Sequence, residues 1–179
     1  IGSYIYDTNN KKYLDFVAGV SACTLGHQPP RVNQAIKDQL DKYSHVMVYG
    51  EYAQHPAVEF CKLLAENMPE PLNKTYLVNS GTEATEGALK LARRVTGRSH
   101  LVSCHNAYHG NTMGSMSVMG FEERKQVFRP LLPDVDFITF NNEEDIQKIT
   151  TKTAGVILES IQGGAGFIQP ENGFLRKIK

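Results

Sequence analysis

Short β-prone runs alternate with stretches of helical period along the second half of this chain. Residues 76–78 (Tyr-Leu-Val) read as a strand, and Ser80-Gly81-Thr82-Glu83 then matches an S/T-x-x-E capping box that opens a helix. Ala84, Ala88, Leu91 and Val95 recur at helical spacing and form its expected core face, and Gly97 supplies the stop. A strand is expected over 100–103, followed by the polar, glycine-punctuated stretch CHNAYHGNTMGSMSVMG. Residues 121–128 predict a short helix and 135–140 a strand, and Asn142 opens a short helix over 143–149. The apolar run 154–158 predicts a last strand, ending at Glu159 before the glycine-rich IQGGAGF.

The first half reads differently. Residues 4–16 predict a β-hairpin around the turn residues 7–10, and 31–43 an amphipathic helix with Val32, Ala35, Ile36, Leu40 and Tyr43 on one face. Residues 44–55 have no clear period but carry His45, Tyr49, Glu51, Tyr52 and His55, which marks a poorly defined element or a functional loop. Pro56 suits the first turn of a further helix with Ala57, Phe60, Cys61, Leu64 and Met68 inward, ended by Pro69 and Pro71.

Alternating strand and helix argues for an α/β layered domain. Three polar clusters fall at C-terminal ends of predicted strands: Asn79-Ser80, Cys104 to Tyr108, and Glu159. Ligands of open α/β sheets bind outside those ends. A helix N-terminus with unpaired N–H groups favours an anion, so Ser80 opens a phosphate seat. Tyr108 offers a flat face and Glu159 a polar edge. The expected ligand is small, with a phosphate and a flat, polar ring.

Charge narrows the partners. The 179 residues hold 19 Lys+Arg and 19 Asp+Glu, a net charge of zero, which argues against nucleic acid or an acidic membrane. No apolar run approaches the roughly 18 residues of a membrane helix. Cys23, Cys61 and Cys104 are odd in number and have no C-x-x-C spacing, as in reduced thiols of a cytoplasmic protein. The chain begins at Ile1 without Met, so an N-terminal stretch is expected to be missing. A rival reading places a metal on His105 and His109, four apart beside Cys104, but the glycine-flanked segment reads as loop and lacks an H-E-x-x-H glutamate, so no metal is expected.

NSGTEATEGALKLAR, YHGNTMGSMSV and LESIQGGAGF, in that order and after YLDFVAGVSACTLGHQPPRV, resemble the class III aminotransferases of the acetylornithine, ornithine, 4-aminobutyrate and diaminopelargonate type. The resemblance covers nearly the whole chain. It implies a pyridoxal 5'-phosphate-dependent transferase fold (aspartate aminotransferase-like, fold type I), with an incomplete large domain. Residues 1–45 would be an N-terminal segment of the small domain, and 46–179 the first part of the cofactor-binding α/β large domain. It implies that Ser80, Gly81 and Thr82 hold the cofactor phosphate, that Tyr108 stacks on its ring and that Glu159 is an acid beside it. Tyr49 and Tyr52 become rim residues of the substrate entrance. The implied reaction moves an amino group, from a terminal amine of an amino acid or amine, to a 2-oxo acid in a homodimer.

Departures from the family pattern leave the donor open. Asn111 stands where the acetylornithine and ornithine enzymes commonly carry Arg, and cannot fork onto a carboxylate. Val20 stands where the ornithine enzyme has Tyr, and Gly163 to Gly166 lacks one acid of the usual loop. By the same resemblance the Schiff-base lysine and ring-nitrogen acid are expected beyond Lys179, since neither Lys179 nor Lys90 has the required context. These 179 residues alone are therefore expected not to transaminate. The alternatives are an aminomutase or decarboxylase of the same family, or a truncated non-catalytic module that binds the cofactor or a partner.

Overall fold

The computed structural model describes residues 1–47 and 50–179, which divide by their contacts into two compact units, Ile1–Thr75 and Tyr76–Lys179. Contacts thus group residues 46–75 with the N-terminal unit, whereas the family resemblance groups them with the large domain.

In the first unit β1 (Tyr4–Tyr6) and β2 (Lys12–Leu14) form the expected antiparallel hairpin, with Ile5 opposite Tyr13. Asp7 organises its turn, accepting from the N–H groups of Asn9 and Lys11 at 2.9 Å each. A left-handed turn follows over Ala18–Ser21, with φ between 48° and 66° at Ala18, Gly19, Val20 and Ser21. Asp15 holds its start through the N–H groups of Val17 and Ala18 and pairs with His27 at 2.7 Å. Next come α1 (Pro30–Leu40) and α2 (His55–Asn67), each with proline in its first turn. The apolar faces read from the sequence are present, yet neither helix has a buried residue.

The second unit is built on a three-stranded parallel sheet in the order β4–β3–β5, with β3 (His100–Cys104) central between β4 (Val135–Ile138) and β5 (Thr153–Val156). The strand β3 is covered on both faces, as a central parallel strand must be. Val102 and Cys104 point into a core with Ala107, Ile138, Phe140 and Phe174, the last from α6 (Phe174–Ile178). Leu101 points the other way, to Leu89 and Val118. Two further short helices, α4 (Met113–Ser117) and α5 (Glu122–Lys125), lie between β3 and β4. A 3₁₀ turn extends α5 over Gln126–Phe128, and a second one, Glu144–Lys148, replaces the helix expected after Asn142. The Asn142 side chain still accepts from the N–H of Glu144 at 3.0 Å.

The structure corrects three sequence expectations here. Residues 76–78 are not a strand: no strand among the described residues pairs with them, and Tyr76 is 83% exposed. A β-prone run becomes a strand only when it finds a ladder. The helix α3 (Gly81–Thr96) has the expected ends, capped by Ser80 and by left-handed Gly97, but it faces the other way. Leu91 is 61% and Val95 75% exposed, and the side turned inward carries Thr82, Thr85, Glu86 and Leu89. The polar atoms of residues 109–115 need partners in the interior, and this face supplies them (below). The polar stretch after β3 is not all loop: α4 is buried over Gly114 to Ser117 and opened by a reciprocal box between Thr112 and Ser115.

Candidate functional site

Ser80 stands at the N-cap of α3 in extended conformation, φ −151° and ψ 159°, and its Oγ accepts from the N–H of Glu83 at 3.2 Å. Glu83 reaches back to accept from the N–H of Asn79 at 2.7 Å. These bonds settle two of the donors at this end. Among the described residues, no acceptor meets the N–H groups of Gly81 and Thr82. They sit in the first turn of a helix of 16 residues, where the dipole adds partial positive charge. Above Gly81 the space is open: a Cβ built there would meet nothing within 4 Å.

The Thr82 hydroxyl is committed inward. Its Oγ1 lies 2.9 Å from Thr112 Oγ1 and 2.7 Å from Ser115 Oγ. Gly110, at φ 133°, makes this approach possible, since a Cβ there would sit 2.6 Å from Thr82 Cβ and 2.7 Å from Ser115 Oγ. Thr85 donates its hydroxyl to the carbonyl of His109 at 2.9 Å. Three residues of α3 on one face, Thr82, Thr85 and Glu86, thus pin the loop that carries Tyr108.

Tyr108 follows β3 by four residues and leaves 47% of its surface exposed. Glu159, just past β5, lies beside it: one carboxylate oxygen is 3.4 Å from the N–H of Tyr108, the other 3.3 Å from that of Gly163. Gln162 is buried and donates from Nε2 to the carbonyl of His105 at 2.9 Å, anchoring the glycine-rich loop to the β3 loop. Ser80, Gly81, Thr82, Tyr108 and Glu159 all lie in the second unit, with Glu159 against the Tyr108 N–H and Thr82 bonded to the stretch that follows Tyr108. Asn111 is exposed in the loop after Tyr108. Val20 and Tyr52 are exposed in the first unit, and Tyr49 lies outside the described residues.

The helix that would bring His105 and His109 to one face is absent among the described residues. Residues 105–111 are not helical, and His105 packs against the Phe137 ring at 5.6 Å between centroids. Burial pushes the Cys104 thiol up to about 12, with the charges of Glu159 and Asp145 adding to it. His109 is different: its Nε2 is buried without a partner among the described residues, and burial pushes the imidazole down to about 4 from 6.5. The unfolded chain takes up a proton near 6.5 and the folded one only near 4. The associated stability is complete above pH 6.5 and is lost as pH falls towards 4. Thermal unfolding measured from pH 7 to 4.5 is expected to show a falling midpoint, and a smaller fall in His109→Gln.

Sequence reasoning missed Thr85, Glu86, Thr112, Ser115 and the anchoring role of Gln162. The available signal was the spacing of Thr82, Thr85 and Glu86, which share a helix face.

The family described as aminotransferase class-III matches residues 1–179. An acetylornithine aminotransferase from Archaeoglobus fulgidus is 40% identical over 99% of this chain and 47% of its own length. Among solved structures, an adenosylmethionine-8-amino-7-oxononanoate aminotransferase from Methanocaldococcus jannaschii superposes with a TM-score of 0.90 at 33% identity, over 99% of this chain and 44% of that one. An ornithine aminotransferase from Toxoplasma gondii, crystallised with partial occupancy of PLP at its active site, gives 0.86 at 28% identity, over 99% and 43%. The chain spans about half the length of the curated relatives it matches. It belongs to the class III aminotransferase family.

Proposed function

We propose that this chain holds the phosphate and stacks the ring of pyridoxal 5'-phosphate for a transaminase that moves an amino group from a terminal amine to a 2-oxo acid. The observation that carries the reading is the pair of unpaired N–H groups at Gly81 and Thr82 in the open N-terminal turn of α3, beside the half-exposed ring of Tyr108. The residues present fit the cofactor: a dianion takes the helix end, an aromatic plane takes Tyr108, and Glu159 offers a carboxylate next to it. When bound, the cofactor supplies an electron sink for the amino acid's α or terminal carbon. The chain's own part is to anchor the phosphate with Ser80, Gly81 and Thr82 and to fix the ring plane with Tyr108. The committed Thr82 hydroxyl leaves its N–H as the donor it presents.

Acetylornithine and ornithine, each an amino acid with a terminal amine, stand in the names of two of the proteins matched, which supports a donor of that class. Asn111, Val20, Tyr49 and Tyr52 are the substrate-side residues of this reading. The assembly is a cytoplasmic homodimer, and no described helix is long and apolar enough to cross a membrane. Residues 1–45 belong to the small domain and 46–179 to the cofactor domain.

The test is a titration of the protein with pyridoxal 5'-phosphate, with and without inorganic phosphate as competitor. Saturable binding that phosphate displaces is expected. Absence of binding, or binding indifferent to phosphate, overturns the reading.

A further inference from the structure

The side chain of Glu86 has no role in the proposed phosphate seat, yet it makes three hydrogen bonds to residues 112–115. It sits one turn into α3, and its Oε1 takes the Thr112 hydroxyl, the N–H of Gly114 at 2.8 Å and the N–H of Ser115 at 3.1 Å. One carboxylate oxygen thus closes the start of α4, taking the N–H of Gly114 and sharing that of Ser115 with the Thr112 side chain. Burial works to raise the Glu86 carboxyl. The hydrogen bonds from Thr112, Ser115 and Gly114, with the charge of Lys90, outweigh it and hold the group below the usual carboxylate range. Gly114 leaves room for this, since a Cβ there would lie 2.7 Å from the Glu86 carboxyl carbon.

The carboxylate also sets the direction of a hydroxyl cluster. It accepts only, so the Thr112 hydroxyl donates to it, and Thr112 Oγ1 is left to accept from Thr82 at 2.9 Å or Ser115 at 3.0 Å. Thr82 stands in the phosphate seat. Thr112 follows Tyr108 by four residues, and the intervening Gly110 packs on Thr82. We propose that Glu86 is a positioning residue for the cofactor: its carboxylate clamps residues 112–115 to α3, and so sets the distance from the phosphate seat at Gly81 and Thr82 to the Tyr108 ring. This inference rests on the cofactor reading above. A ring displaced by about an ångström from its anchor loses binding and orientation together.

The experiment compares wild type, Glu86→Ala, Glu86→Gln and Thr112→Val. It reads affinity for pyridoxal 5'-phosphate, displacement by inorganic phosphate, and the circular dichroism induced in the bound cofactor's absorption band. Glu86→Ala is expected to bind the cofactor about tenfold more weakly and to lose most of the induced band, while inorganic phosphate binds as to wild type. Glu86→Gln keeps an oxygen for the Gly114 and Ser115 N–H groups and is expected to recover most of both signals. Thr112→Val, which keeps the shape and removes the donor, is expected to lie between wild type and Glu86→Ala, and carries the test if Glu86→Ala does not fold. Wild-type affinity and band in Glu86→Ala overturn the inference, as does an equal loss of phosphate and cofactor binding. If Glu86→Ala does not fold, the same two results in Thr112→Val overturn it. A wild-type protein that binds no pyridoxal 5'-phosphate overturns the cofactor reading itself, which separates the two failures.

Discussion

Gly81→Pro is expected to weaken binding of pyridoxal 5'-phosphate about 10- to 100-fold while leaving the fold intact. Proline is accepted at the first position of a helix because the N–H it lacks has no partner inside the helix. Gly81 is that position, and Ser80 before it is already extended, as a residue preceding proline must be. Nothing lies within 4 Å of a Cβ at Gly81, so the ring has space. The substitution therefore removes one of two unpaired donors and little else. A hydrogen bond to a charged group is worth about 1.5–3 kcal/mol, which converts to the expected loss. Cofactor titration gives the affinity and thermal unfolding checks the fold. An unchanged affinity with an unchanged melting midpoint would remove this helix end from the cofactor account.

Gly120→Ala is expected to cost about 3 kcal/mol of stability, near the upper end for overpacking. The turn that leads from β3 to Tyr108 closes on Gly120: the N–H of Asn106 donates to its carbonyl at 3.1 Å, and its own N–H donates to the carbonyl of Ala107 at 2.8 Å. An added Cβ would sit 2.7 Å from the Ala107 nitrogen and closer still to the Asn106 nitrogen and the Cys104 carbonyl. All three are backbone, so no side chain can swing away. Either the turn opens, carrying Tyr108 with it, or α4 and its cap move. Chemical denaturation measures the loss, and Gly81→Ala, with open space above it, serves as the neutral comparison. A difference under about 0.5 kcal/mol between the two would contradict the packing described here.

Local signals in the sequence carried far where their partners lie close in the chain. The Ser80 and Gly97 caps, the Asp7 hairpin turn and the strands β3, β4 and β5 are each set by neighbouring residues, and the structure has all of them. The face of α3 could not be read that way. Its Ala84, Ala88, Leu91 and Val95 stripe has the period of a core face but is exposed, because the opposite face meets groups some 24 to 33 residues away, such as the His109 carbonyl and Ser115. Hydrophobic period records where apolar side chains could go, not which polar groups a distant loop will need to satisfy. The same limit hid α4, whose Thr112–Ser115 box is short and lies among glycines. Residues 76–78 show it again, since a three-residue run cannot announce whether a ladder exists beside it. The proposed site residues Ser80, Gly81, Thr82, Tyr108 and Glu159 could be nominated from sequence because strand ends and a helix start concentrate polar chemistry. Glu86 was not, because its work is to hold other residues in place.

The most direct measurement is a crystal structure of the protein with pyridoxal 5'-phosphate bound. The account predicts phosphate oxygens within hydrogen-bond distance of the Gly81 and Thr82 nitrogens, with the ring against the face of Tyr108. A phosphate held elsewhere, or a ring away from Tyr108, would contradict it.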